Sequence, residues 1–432
     1  MSKTFATTKR RLFQLALVAM GLCGGMYCRS ALGPLQEAIR LSQHFSDNQM
    51  ALLQGTAMAL PMVLCSVPLG MLTDRFSRAR LLRIVVVLMP VSCLLSACAS
   101  HFASLFLARC LAGLCAAAAP ILGYSIIGDL YAPHERGRAS MVMASGEILG
   151  APISFAVGGW LLFHIGSAGT TIAWRATLGL MGGLALPVVL GMLCLREPPR
   201  HERSESNAPT PMKLWSQLWR YRAVALPILL ARGMVWLADG SVFVWAAPSF
   251  SRHFNVPADR IGALMGLALL VSGLVGPALG GPLADYCQRH GGPRRTVRVM
   301  AVIALVSLPL ALFNRFPTVN MAAAGMMIFL TLGFVIATAG VTISIVVIPG
   351  ELRGAYFGMA YVVGSLFFVG LAPLAVSILS GALGGEDMIG QALSIVCLGA
   401  SLLGMAVFAL CSRFFPTTSL PRTALNIARE TT

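Results

Sequence analysis

Twelve apolar runs separated by short polar segments dominate this sequence of 432 residues. Each run is close to the roughly 20 residues that a helix needs to cross the hydrocarbon core of a bilayer. Because that core offers no water to the backbone, such runs cross it as α-helices. We therefore predict an all-α integral membrane protein with twelve transmembrane helices, in the runs 12–33, 50–72, 82–100, 103–128, 140–163, 174–195, 224–249, 260–284, 297–314, 319–348, 355–382 and 388–411.

The composition excludes an ordinary soluble protein. Hydrophobic residues make up 57% of the chain and charged residues only 11%, whereas about 25% of a soluble protein is charged. The mean hydropathy is +0.78. The first run follows three basic residues at 9–11, as the apolar region of a signal peptide does. It is too long for a signal peptide, however, and no small-residue cleavage site follows. We expect it to remain as the first helix.

The basic residues predict the orientation of the chain in the membrane. Alternating the loops places 24 of the 32 Lys and Arg residues on one face, and only Arg40, Arg252, Arg260 and Arg315 in the opposite loops. Lys and Arg of short loops stay on the cytoplasmic side. We expect both termini in the cytoplasm, in a bacterial cytoplasmic (inner) membrane. The net charge of +16 then reflects topology and contact with anionic lipid headgroups, not nucleic-acid binding.

A repeated turn indicates that the chain is built from two similar halves. Gly70–Arg75 and Gly281–Tyr286 both follow an apolar run, share a Gly-x-Leu-x-Asp pattern and open a basic loop. Repeats at equivalent places are typical of transporters built from two related bundles. We predict an N-terminal six-helix half at 1–195, a cytoplasmic middle loop at 196–222, a C-terminal six-helix half at 223–412 and a cytoplasmic tail at 413–432.

These features together resemble the major facilitator superfamily over nearly the whole chain. The Gly-x-Leu-x-Asp-Arg-x-x-Arg-x-Arg loop lies at 70–80, with a degenerate copy at 281–289. The residues Tyr27-Cys28-Arg29 and the segments 123–139, 245–248 and 349–354 are most similar to the spinster-like branch and, less closely, to the organic anion:cation symporters. The chain departs from the spinster pattern at Cys28, where an acid is usual, and at 114–119, which lacks the usual Glu.

The resemblance implies that the repeated turns gate the conformational change. In that superfamily the loop clasps the other half in one conformation and releases it in the next. The retention of basic residues on the cytoplasmic side explains Arg78 and Arg80 about as well as a gating role does. It does not require an acid such as Asp74. In the second copy, Tyr286 replaces the arginine that follows the Asp in the first copy. We therefore expect the second clasp to be weaker. The predicted gating residues are Gly70, Asp74, Arg75, Arg78, Gly281 and Asp285.

Charges inside the apolar runs are the best candidates for the transport site, since each is costly there. Arg29 and Asp239 lie at a similar depth, and we predict a pair that closes the outer side in one state. The alternative is that Arg29 extends to lipid headgroups while Asp239 faces water. Arg109 either contributes to an anion site or also extends to the headgroups.

Glu147 and Arg232 lead to separate predictions. A lone buried carboxyl group such as Glu147 suits proton coupling, although hydrogen bonding beside Ser145 or Ser154 would make it structural. Arg232 suits an anionic substrate, since its guanidinium matches carboxylate and phosphate geometry. Pairing with Glu147 or Asp239 is the structural alternative. Trp236, one turn beyond Arg232, either stacks on the substrate or packs in the core.

The sequence thus predicts a secondary active transporter of a small organic solute, anionic or amphiphilic and coupled to protons. An efflux antiporter for hydrophobic or cationic compounds, or a transporter-like receptor that does not cycle, are the alternatives. No enzyme motif, cofactor site or metal-ligand spacing is present in the sequence. The eleven cysteines lie mostly in apolar runs and suit buried side chains better than disulfides. Substrate identity and oligomeric state are open.

Overall fold

The computed structural model describes residues 2–132, 135–166, 170–199, 217–219, 221–413 and 415. These residues form helices and connecting turns without any β-strand. Eleven helical stretches are long and apolar enough to span a membrane, and one of them, Ala258–Arg315, is long enough for two crossings. The predicted twelve-helix, all-α fold is therefore confirmed. Most of the middle loop at 196–222 and the tail at 413–432 lie outside the described residues.

The helices of the first half of the chain correspond to the first six apolar runs. They are α1 (Ser2–Ser30), α2 (Gln36–Gln43), α3 (Asp47–Ala51), α4 (Ala57–Arg75), α5 (Arg78–Ala97), α6 (Phe102–Leu130), α7 (Arg136–Ile165), α8 (Thr170–Leu184) and α9 (Leu186–Met192). A 3₁₀ turn at Gly33–Leu35 leads from α1 into α2, and a π-helical segment, Leu52–Thr56, joins α3 to α4. The second run is thus one long, locally widened helix.

The helices of the second half correspond to the last six runs. They are α10 (Arg222–Phe254), α11 (Ala258–Ser307), α12 (Val319–Val347), α13 (Gly350–Gly364), α14 (Ala372–Leu383) and α15 (Ile389–Cys411). A π-helical segment at Ser365–Leu371 joins α13 to α14. Within α11, Gly292 has a φ of 61° and a ψ of −163°, which breaks the helix. Glycine adopts this conformation without steric cost, so α11 comprises two membrane crossings.

Hydroxyl side chains start several of these helices. Ser46 forms a capping box with Gln49 at the beginning of α3, and Ser77 accepts a hydrogen bond from the backbone N–H of Arg80 at the start of α5. Thr318 does the same for α12. Such caps satisfy backbone N–H groups that the helix cannot. They fix the ends of helices that carry candidate functional residues.

The chain folds into two compact units, and both are discontinuous in sequence. The first comprises Met1–Ser206, Phe243–Leu270 and Val369–Leu393. The second comprises Asn207–Val242, Val271–Phe368 and Ser394–Thr432. The first unit therefore contains the last part of α10, the first part of α11 and all of α14 beside the helices of the first half. Each helix that passes from one unit to the other contributes side chains to both.

Glycines bring α7 into close contact with α1 inside the first unit. A Cβ atom at Gly146 would lie 2.5 Å from the backbone oxygen of Ala19, and one at Gly150 would lie 2.4 Å from that of Cys23. No side chain fits at such distances. Small residues of this kind let helix backbones approach each other in membranes, and the contact places Glu147 of α7 next to α1.

Gly150→Ala tests this packing. We expect a loss of about 1–3 kcal/mol in stability, because the new methyl group forces α7 away from α1. The measurement is the melting temperature of the purified protein in detergent. Gly179→Ala in α8 is the matched control, since no described atom lies within 4 Å of its would-be Cβ. Equal melting temperatures for the two variants would show that the α1–α7 contact does not require glycine.

Candidate functional site

Arg78 is the centre of an ion-pair network at the start of α5, which we call the Arg78 network. Its Nη1 lies 2.6 Å from the Asp129 carboxylate, and its Nε lies 3.0 Å from that of Glu197. Nη1 also donates to the backbone oxygen of Ser125 at 3.1 Å. Only 6% of the Arg78 side chain is exposed. Arg78 therefore ties α6 and the segment after α9 to α5, and it does not reach lipid headgroups.

Glu197 is held as a carboxylate by this network. It accepts hydrogen bonds from the Ser77 hydroxyl and the Ala79 backbone N–H, both at 2.7 Å, and from the Arg78 guanidinium at 3.0 Å. Burial raises the pKa of Glu197, but these hydrogen bonds and the charge of Arg78 outweigh it. The pKa of Glu197 is therefore lowered from its ordinary value of 4.5.

The other predicted gating residues have simpler surroundings in this state. Arg75 and Asp285 are exposed. Among the described residues, no atom lies within 4 Å of a would-be Cβ at Gly70 or Gly281. The side chain of Asp74 lies outside the part that the structure describes. Their role in gating stays a prediction.

A second ion-pair network surrounds Arg252, near the end of α10. The Arg252 guanidinium forks to Asp47, with Nη1 at 2.8 Å and Nη2 at 2.7 Å. It also donates to a single carboxylate oxygen of Glu37, from Nε at 3.0 Å and from Nη2 at 2.8 Å. Arg40 bonds the other oxygen of Glu37 at 2.7 Å and pairs with Glu386. This Arg252 network joins α2, α3, α10 and the turn before α15, all within the first unit.

Within the first unit, Arg29, Arg109 and Glu147 come together between α1, α6 and α7. Arg109 is only 2% exposed and donates from Nη2 to the backbone oxygen of Arg29 at 2.8 Å. It therefore does not extend to headgroups. Glu147 lines a small cavity with Met26 and Pro120 and interacts electrostatically with Arg29. Three of the predicted transport residues thus share one site, which we call the first charge site.

The serine alternative for Glu147 has no support in the structure. Ser145 donates its hydroxyl to the backbone oxygen of Met141 at 2.9 Å. The Ser154 hydroxyl is buried without a hydrogen-bond partner among the described residues. Glu147 instead lies near Tyr124 of α6, with which it interacts electrostatically. The carboxyl group therefore faces the cavity and not a packing contact with either serine.

Arg232 forms a second charge site inside the other unit. Its side chain is buried, with 5% of the residue exposed, and its guanidinium lies 4.6 Å from the centre of the Trp236 ring. It also interacts electrostatically with Tyr356 of α13. Its Nε and Nη1 have no partner in the described part of the chain. Arg232 and Trp236 are thus brought together as predicted, with hydrogen-bond donors to spare.

Asp239 lies two turns further along α10 and packs against α12. A Cβ at Gly333 would lie 2.5 Å from an Asp239 carboxylate oxygen, and a Cβ at Gly340 would lie 2.7 Å from the Arg232 side chain. Arg232 and Asp239 are seven residues apart on α10, as Gly333 and Gly340 are on α12. The two charges therefore lie about 10 Å apart along α10. The α12 glycines thus make the space that the two charged side chains occupy.

Several residues of these sites were not predicted from the sequence. Glu37, Asp47 and Glu386 lie at helix ends, where acids are common and carry no pattern. Tyr356 is completely buried and bonds Ser344 at 3.1 Å, yet it reads as one more aromatic residue in an apolar run. Its position near the Pro-Gly-Glu-Leu-Arg-Gly turn at 349–354 is the only available sequence signal.

A twelve-helix bundle with buried charges in its membrane-spanning helices is the architecture of a secondary transporter. The family model for the Major Facilitator Superfamily matches residues 17–370. The chain belongs to this superfamily, and it is a membrane transporter, not an enzyme.

The relatives agree with the resemblance to the spinster-like branch. Protein spinster of Drosophila melanogaster is 25% identical over 61% of this chain and 44% of its own length. The aligned part therefore spans less than half of that relative. The uncharacterized transporter YybO of Bacillus subtilis is 25% identical over 73% of this chain and 75% of its own length.

Two solved structures have the same fold. A bacterial homologue of the human lysosomal transporter Spinster, in an inward-facing and unoccupied conformation, superimposes with a TM-score of 0.80. The superposition covers 94% of this chain and 97% of the Spinster homologue, at 19% identity. The nucleoside transporter NupG, as its D323A mutant, superimposes with a TM-score of 0.73 at 13% identity, covering 92% and 99%. At these identities the similarity establishes the fold alone.

The lowered pKa of Glu197 predicts a dependence of stability on pH. Its stabilising contribution is complete above the ordinary value of 4.5 and is lost as the pH falls through the lowered folded-state value. We expect the melting temperature in detergent to drop on acidification from about pH 7 to about pH 3. Glu197→Gln should melt about 2 °C lower at neutral pH and lose less on acidification. A variant with the wild-type pH profile would contradict this assignment.

Arg252→Ala tests the Arg252 network. Removing the guanidinium leaves two carboxylates facing each other in a largely buried place, which we expect to cost about 3 kcal/mol. Arg252→Lys should cost less, since it keeps the charge but not the fork. The measurement is thermal unfolding in detergent. Arg315→Ala is the control, because Arg315 is exposed; equal melting of the two alanine variants would show that the network contributes nothing.

Proposed function

We propose that this protein is a proton-coupled secondary transporter of a small organic solute that carries a carboxylate or a phosphate. The observation that carries the proposal is Arg232, a buried guanidinium with two nitrogens that have no hydrogen-bond partner in the described residues. An unsatisfied buried charge costs several kcal/mol. An anionic group of the solute would satisfy these donors.

The surroundings of Arg232 favour an amphiphilic solute. Trp236 covers one face of the guanidinium, and Gly364 of α13 lies against the Trp236 ring, since a Cβ there would be 3.1 Å from it. Apolar and aromatic surface next to one fixed cation suits a molecule with an anionic end and an apolar body.

Proton coupling rests on the two buried acids. Asp239 has no cation or hydrogen-bond donor bonded to it among the described residues, whereas Glu147 has Arg29 nearby. A carboxyl group buried without a counter-charge is favoured in its protonated form. We therefore infer that Asp239 carries the coupled proton, with Glu147 as the second candidate. The pairing of Arg29 with Asp239 stays a prediction.

We propose that the protein works by alternating access and that the two ion-pair networks set its end states. The basic loops around the Arg78 network face the cytoplasm by charge pattern, as do both termini. The Arg252 network then lies on the outer side. A bacterial inner membrane suits this orientation, and protons are the proposed coupling partner.

A second candidate function rests on Asp239. A lone buried carboxylate also suits a cationic or hydrophobic compound, as in an efflux antiporter, and Arg232 would then be structural. The two functions differ in which charge the substrate needs. They are therefore separable by substituting one charged residue at a time.

Arg232→Ala in proteoliposomes with an imposed pH gradient is the test. The probes are carboxylates and phosphate monoesters with and without an alkyl chain, and hydrophobic cations as the contrast. We expect anion flux to fall roughly tenfold or more, since a charge-assisted hydrogen bond is lost. Arg232→Lys should retain part of it. Arg315→Ala, at an exposed arginine outside the predicted gating loops, is the control and should transport normally.

Each outcome decides between the candidates. Normal anion flux in Arg232→Ala would overturn the anionic assignment. Cation flux that survives Arg232→Ala but disappears in Asp239→Asn would establish the second candidate. Anion flux in Asp239→Asn that no longer responds to the pH gradient would support Asp239 as the coupling residue, and an unchanged response would transfer that role to Glu147.

A further inference from the structure

A seam of small residues on α1 packs against α5 inside the first unit. A Cβ at Gly21 would lie 3.4 Å from Val86, and a Cβ at Gly25 would lie 2.9 Å from Met89. The next turn of α1 carries Cys28. Successive contacts at these intervals mean that the two helices run in the same direction with their backbones close together.

Cys28 and Cys93 continue this seam and touch each other. The Cys93 thiol lies 3.8 Å from the backbone oxygen of Cys28 and donates to it. The two thiols also interact electrostatically. Cys28 is 1% exposed and Cys93 is 2% exposed. A thiol that bonds the backbone of a second cysteine on a closely packed helix is a candidate partner for a disulfide with it.

Arg109 gives this thiol pair a positive environment. Its guanidinium is buried, its Nε has no partner among the described residues, and no described carboxylate bonds to it. The ionisable groups that interact with it are Arg29 and the thiols of Cys28, Cys93 and Cys110. A neighbouring arginine stabilises a thiolate, the reactive form of cysteine.

We propose that Cys28 and Cys93 are a redox-active pair, which a two-electron oxidant such as hydrogen peroxide converts to a disulfide between α1 and α5. The Cys93 thiolate attacks one peroxide oxygen, the O–O bond breaks, and the leaving hydroxide takes a proton to become water. The Cys28 sulfur then attacks the resulting sulfenic acid, the S–O bond breaks and a second water leaves. Two thiols and one peroxide thus give one disulfide and two waters.

The position of the bond predicts its consequence. It would fix the backbone of α1 one residue before Arg29, whose own carbonyl accepts the Arg109 hydrogen bond. Oxidation would therefore hold the first charge site in one arrangement. This inference does not depend on the proposed function, because the bond is detected chemically and not through transport.

The test is peptide mapping of the full-length protein in lipid nanodiscs after treatment with hydrogen peroxide. The protein is denatured, free thiols are alkylated, and unreduced peptides are analysed by mass spectrometry. We expect a linked peptide pair that contains Cys28 and Cys93, a loss of two of the eleven free thiols, and recovery of both after reduction. Cys98→Ser is the control, since Cys98 is exposed and should not affect the linkage.

The result with the wild-type protein decides whether the disulfide forms. Cys28 and Cys93 both recovered as alkylated thiols after peroxide would overturn the proposal, as would a linked pair that involves Cys98 in place of either. Cys28→Ser and Cys93→Ser should each abolish the linked peptide. Should one variant fail to fold, the other still reports the same loss.

Discussion

The absence of water inside the bilayer is the constraint on which this structure depends. Every backbone polar group must be satisfied by the chain itself, which leaves helices as the local structure of the twelve apolar runs. Every charge retained at membrane depth must likewise find a partner, a cavity or a ligand. In the described part of the chain, Arg109 bonds a carbonyl and Glu147 lines a cavity, whereas two nitrogens of Arg232 have no partner.

Glycine is what makes the charges of α10 tolerable. Arg232 and Asp239 lie where any side chain on α12 at 340 or 333 would collide with them. Because the two charges on α10 and the two glycines on α12 have the same seven-residue spacing, each charged side chain packs directly against the α12 backbone. It is desolvated there but closely packed.

The fold was predictable because its signals are local. Run length, loop charge and the repeated turn at 70–75 and 281–286 can each be read within a few residues, and together they specify twelve helices. The sites were less predictable because their partners are distant. Glu37 and Arg252 are 215 residues apart, and neither carries a motif. Buried charges such as Arg232 stand out against an apolar run, whereas Tyr356 and Gly340, which complete their surroundings, do not.

The two ion-pair networks differ in a way that bears on gating. Arg78 binds Asp129 of the first half and Glu197 at the start of the middle loop, so its pairs involve no helix of the second half. Arg252 binds Glu37 and Asp47 of the first half from α10 of the second. Separation of the predicted halves at these residues would break these bonds. Such a separation would also admit water, which would solvate the charges as they part. The energy needed to open the network would then be smaller than the strength of its ion pairs in the closed state.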